Sequence, residues 1–116
     1  GEWYGYAFVN SWLSVFNNNQ CVYPSLVVHE IGHNLNMAHS TEGDAEYGDA
    51  SCLMAGSYID DEGPRMCFNA PKTYQLGWYS EYYLDINAND VNTQGAISLV
   101  GLAEKANAVA SDKMIV

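Results

Sequence analysis

Basic residues are scarce: four lysines and arginines stand against fourteen aspartates and glutamates, for a formal net charge of -10. With no basic surface to neutralise phosphates, nucleic acid is not expected as a partner. Long apolar runs are also missing. No stretch approaches the roughly 20 residues that cross a bilayer, so no membrane span is expected. The chain opens on Gly1 without a basic segment leading into an apolar one, so any secretory signal is expected upstream. Cysteine is limited to Cys21, Cys52 and Cys67, an odd number that leaves one without a partner in the chain. Histidine is absent outside one short run: all three lie between His29 and His39.

What is present argues for a folded chain. Across 116 residues, 48% are hydrophobic and 13% aromatic, while only 16% are charged. That supplies apolar surface for a core and excludes a disordered segment. There is no internal repeat and no low-complexity tract.

The run His29-Glu30-Ile31-Gly32-His33-Asn34-Leu35-Asn36-Met37-Ala38-His39 has the spacing of a catalytic zinc site. On a helix over about 25–35, His29 and His33 fall one turn apart on the same face, with Glu30 beside them. A catalytic zinc takes three protein ligands and leaves one position for water. His39 cannot reach the ion along a continued helix, because six further residues turn the chain through roughly 600°. The backbone has to bend between them, and Asn36 stands where it must, being the residue that, after glycine, most readily adopts the left-handed conformation. Pro24 suits the first turn of the helix, and Leu26, Val27, Ile31 and Leu35 read as its apolar stripe.

His-Glu-x-x-His-x-x-Gly-x-x-His is the signature of the metzincin metallopeptidases, which this run resembles except for Asn36 in place of glycine. Within that clan the chain is most similar to the gametolysin family. The similar blocks are His29 to Ser40, Tyr47-Gly48-Asp49, Ser51-Cys52-Leu53-Met54, Gly63 to Lys72, and Gln75-Leu76-Gly77-Trp78. The resemblance implies an α+β, metzincin-like catalytic domain, present here in part, with edge strands, a zinc helix, a methionine turn at about 52–56 and a C-terminal helix/β region. It implies one zinc ion held by His29, His33 and His39, Glu30 as general base, and Met54 beneath the metal. It also implies secretion, and protein substrates from extracellular matrix or cell wall, plausibly rich in proline and hydroxyproline.

Residues 3–9 are aromatic and β-prone, 13–16 form a second strand candidate, and 17–20 are a polar loop leading to the zinc helix. In metzincins the first of these strands receives an extended substrate, which makes Tyr4, Tyr6 and Ala7 substrate-binding candidates. The same resemblance offers Tyr58, four residues after Met54, as a pocket residue. It offers no tyrosine ligand two residues after the methionine, where Gly56 stands. Phe68, Tyr74, Leu76 and Trp78 read as the apolar face of a short helix and turn packing under the active site.

The expected organisation is a partial catalytic domain over 1–84 and the opening of a β-rich region over 85–116, with strands at 96–102 and 113–116. The chain is thus expected to be a piece of a longer enzyme. In a secreted protein a Cys52–Cys67 bridge, with Cys21 paired elsewhere, and a Cys21–Cys52 bridge both remain open. Glu42, Asp44, Glu46 and Asp49 carry the oxygen donors calcium prefers but not the spacing of a known loop, as does Asp60-Asp61-Glu62; solvated faces account for both. Two alternatives to a peptidase are a silent zinc-binding module that recognises matrix glycoproteins, and a fragment that holds no metal.

Overall fold

A computed structural model of the chain describes residues 3–56, 66–84, 98–99 and 112–115. The order of elements is β1 (Gly5–Ala7), β2 (Ser14–Phe16), α1 (Pro24–Asn34), α2 (Ala70–Gln75), β3 (Tyr83–Leu84), β4 (Ser98–Leu99) and β5 (Asp112–Ile115), a small α+β arrangement. Two compact units divide it, residues 1–68 and residues 69–116. This division falls before α2, whereas the sequence places its boundary after residue 84.

In the first unit β1 and β2 pair antiparallel, with Gly5 opposite Phe16 and Ala7 opposite Ser14. Both are shorter than the β-prone runs that contain them. A further bond from Phe8 N–H to the Leu13 carbonyl (3.1 Å) closes the ladder, and Asn10 beyond it is left-handed at φ 53°. One side chain fixes this hairpin to the helix. Asn34, the last residue of α1, donates to the carbonyls of Phe8 (3.1 Å) and Leu13 (3.0 Å) and accepts from the Ser14 hydroxyl (2.6 Å).

The helix α1 starts with Pro24 in its first turn, where a missing N–H costs nothing. It ends in a Schellman motif. The Asn36 N–H bonds to the His33 carbonyl (2.9 Å) and the Met37 N–H to the Gly32 carbonyl (3.0 Å), with Asn36 left-handed at φ 70°. The buried face of the helix is Leu26, His29, Glu30, Gly32 and His33. This corrects the apolar stripe: Leu26 is buried, but Ile31 is 44% and Leu35 45% exposed, because the polar residues of the motif take the inward positions.

Below the helix, residues 40–56 fold back through main-chain bonds. Ser40 N–H donates to Met54 O (2.9 Å), Asp49 N–H to Ser40 O (3.2 Å), and Ala55 N–H to Cys52 O (2.9 Å). Gly48 sits so close to Glu42 that an added Cβ would meet its backbone nitrogen at 2.9 Å, so the turn needs a glycine there. Among the described residues, Leu26, Met37, Cys52, Met54, Ala55 and Phe68 are the buried apolar ones. Cys52 and Cys67 are bridge partners in a short parallel pairing, but no disulfide joins the three cysteines.

In the second unit Asn69 caps α2, its side chain accepting from Lys72 N–H (3.1 Å), and Gly77 at φ 72° ends the helix. Thr73 is the buried residue of α2, while Tyr74 and Trp78 stay exposed, so the expected apolar face is not formed by them. Tyr74 instead meets the ring of Tyr83 edge-on at 5.0 Å. Strands β3 and β4 both pair in parallel with β5, which lies between them. The expected strands at 96–102 and 113–116 are represented by Ser98–Leu99 and Asp112–Ile115. No helix among the described residues is long and apolar enough to cross a membrane.

Candidate metal centre

His29 and His33 project from successive turns of α1, and the turn at Asn36 brings His39 back to them. One ligand atom from each of the three lies within 4.8 Å of the others. The rings pack closely, with centroids 4.9 Å apart for His29 and His33, 4.7 Å for His33 and His39, and 5.4 Å for His29 and His39.

Each imidazole is oriented by its second nitrogen. His29 Nδ1 lies 2.8 Å from the Leu53 carbonyl and His33 Nδ1 2.8 Å from the Met37 carbonyl. A carbonyl only accepts, so both Nδ1 atoms carry the hydrogen and both Nε2 atoms present a lone pair. His39 Nδ1 faces the Glu46 carboxylate at 2.6 Å. With the hydrogen on that side, the Nε2 atoms of His33 and His39 turn lone pairs toward each other across 3.1 Å. A shared proton or a metal cation between them satisfies both, and three convergent imidazole nitrogens are a donor set suited to zinc.

Burial keeps His29 neutral. Loss of solvent lowers its pKa from 6.5 to about 4, against the opposing bond to Leu53, with His33 and His39 adding a smaller push downward. Glu30 moves the other way. Loss of solvent raises its pKa from 4.5 to about 7, and its Oε2 is buried without a hydrogen-bond partner. An orphaned carboxylate oxygen beside three ligand nitrogens marks where a water or a substrate proton fits.

Met54 is fully buried below α1, with its sulfur against Gly32. Gly5 of β1 crosses above Glu30 so closely that a Cβ there would meet Oε1 at 3.0 Å. The histidines and Glu30 line a cleft of about 290 Å³ together with Gly5, Tyr6, Ala7, Val9 and Tyr47. Of the substrate candidates, Tyr6 and Ala7 lie on this cleft, Tyr4 is not among its lining residues, and Tyr58 falls outside the described residues.

The comparison with known proteins bears on this arrangement. The profile of the Gametolysin peptidase M11 family matches residues 1–115. The chain belongs to that family. It is also 38% identical over 53 residues to Autolysin of Chlamydomonas reinhardtii, an alignment covering 46% of this chain and 8% of that protein. The chain therefore spans a small part of the curated relative it matches. No solved structure matches it. Membership makes it a metallopeptidase-family chain, and His29, His33 and His39 are compatible with zinc.

Calcium has no such support. Among the described residues the acidic side chains of 42–49 do not converge. Asp49 accepts from Ser51 and Glu46 from His39. The run Asp60-Asp61-Glu62 lies outside the described residues.

Sequence reasoning missed four contributors: Asn34, Gly5, Glu46 and Tyr47. A glycine inside an aromatic strand was a usable signal for Gly5, since glycine weakens a strand and marks close approach. Tyr47 stands in a block that carries the family resemblance, but neither it nor Glu46 shows its role in the sequence, because the fold of the 41–50 loop decides what they face.

Proposed function

We propose that this chain carries the catalytic centre of a secreted, metzincin-type zinc metalloendopeptidase that cleaves protein components of an extracellular matrix or cell wall. The carrying observation is the convergence of three oriented imidazoles beside a buried, unpartnered Glu30 oxygen.

His29, His33 and His39 would hold the ion. A bound zinc supplies Lewis acidity, polarising a peptide carbonyl and lowering the pKa of water. Glu30 performs the proton work. Beside the ligand set, it would accept a proton from the attacking water and return one to the leaving amine. Main-chain groups of β1, which pairs with β2 on one side, would align an extended peptide along the cleft that Tyr6 and Ala7 line. The preference for proline- and hydroxyproline-rich glycoproteins is carried from the family resemblance. Residues 1–84 would then be part of the catalytic domain and 85–116 the start of a following region.

The test is hydrolysis of a quenched fluorescent peptide and of a hydroxyproline-rich wall glycoprotein by the zinc-loaded chain and by Glu30→Gln. Turnover that falls by at least about a hundredfold in the variant, with zinc content unchanged, supports a peptidase. Zinc binding without turnover in either protein would instead favour a recognition module.

A further inference from the structure

His39 differs from the other two histidines in what holds it. His29 and His33 are fixed by the helix that carries them and by main-chain carbonyls, groups that no side-chain substitution removes. His39 follows the turn at Asn36, lies outside any helix or strand, and gives its Nδ1 hydrogen to a side chain, the Glu46 carboxylate at 2.6 Å. The Tyr47 ring lies against the imidazole with centroids 4.2 Å apart and planes tilted by 41°, limiting rotation about the Cβ–Cγ bond.

We infer that Glu46 is the positioning residue of the third ligand and sets the metal affinity of the centre. The inference rests on the zinc reading above. Two effects act together. The carboxylate holds the hydrogen on Nδ1, which reserves the Nε2 lone pair for the ion, and its negative charge strengthens the imidazole as a donor. Glu46 is exposed, so it contributes little to packing, and the turn that delivers it is closed by main-chain bonds between Glu42 and Ala45 (both 3.1 Å). Losing its side chain leaves the loop intact and His39 without the acceptor that fixes its tautomer.

The experiment is a zinc titration of the chain at neutral pH against a chromophoric chelator, for the native sequence, Glu46→Ala, Glu46→Gln and Glu42→Ala. Glu42 is the control for charge, because its loss changes the net charge equally without touching His39. The expected result is an affinity about 10- to 100-fold weaker in Glu46→Ala and intermediate in Glu46→Gln. Glu42→Ala should stay within about twofold, and the melting temperatures of the metal-free forms should be unchanged. Native-like affinity in Glu46→Ala overturns the inference. So does an equal loss in Glu42→Ala, which would make the effect one of overall charge. A native chain that binds no zinc overturns the metal reading itself and is recognised before any variant is compared.

Discussion

The sulfur of Met54 occupies the space into which any side chain at Gly32 would grow: a Cβ built on Gly32 falls 2.3 Å from Met54 Sδ. Helix and turn are therefore packed at their minimum separation, directly beneath the two helical histidines. Gly32→Ala should destabilise the chain by about 1–3 kcal/mol through overpacking, and Met54→Ala by about 2–5 kcal/mol through the cavity it leaves. Because the added methyl fits the space the methionine vacates, the double variant should lose less than the sum. Denaturant titration of all four proteins checks this, and strict additivity would refute direct contact.

Asn36 takes a left-handed conformation in a motif that glycine enters without strain. Asn36→Gly should raise stability by up to about 1 kcal/mol, a few degrees in melting temperature, and Asn36→Ala should lower it by about the same amount. A neutral or destabilising glycine substitution would show that relief of backbone strain is not what decides stability at this turn.

Glu30 and His29 give stability opposite slopes with pH. The native state holds the Glu30 proton more tightly than the unfolded chain, with a pKa of about 7 against 4.5. That stabilisation is complete below pH 4.5 and is lost as pH rises through 7. His29 sheds its proton more readily when folded, with a pKa of about 4 against 6.5, so its term strengthens as pH rises over that interval. The two offset each other between about 4.5 and 6.5. Metal-free Glu30→Gln keeps only the His29 slope, so its melting temperature should climb with pH across this window more steeply than that of the native chain. Parallel curves would show that Glu30 titrates at its ordinary value.

Gly5 leaves room for the Glu30 carboxylate and no more. Gly5→Ala should displace that side chain, cutting kcat/KM of the zinc-loaded chain by about tenfold or more while zinc affinity holds, since the atoms nearest an added Cβ belong to Glu30 and Phe16. Equal losses in activity and affinity would place the damage in the ligand set instead.

How far the site was legible depended on how locally each residue is placed. His29, Glu30 and His33 follow from helical periodicity, and His39 from the bend that Asn36 permits, so their convergence needs little beyond the sequence between them. Met54 required a motif. Glu46 lay in an acidic cluster that reads equally as solvated surface, and only the turn at 42–45 aims it at His39. The apolar stripe misled for a related reason. Hydrophobicity assigns Ile31 and Leu35 inward, but a helix has one buried face, and here the metal-site residues occupy it. In the second unit Tyr74 and Trp78 looked like core from their type alone, while the small Thr73 is what α2 buries.

The two carbonyls that Asn34 grips, those of Phe8 and Leu13, bracket the connection between β1 and β2 at both of its ends. Between them the chain projects Trp12, 87% exposed. Inside this connection the Asn10 N–H also bonds to the His33 carbonyl (2.9 Å), so a change in its length or composition reaches the turn of the helix that carries a histidine. The hairpin tip and the metal-site helix are thereby one mechanical unit, and Val9 at the cleft wall moves with the histidines rather than independently of them.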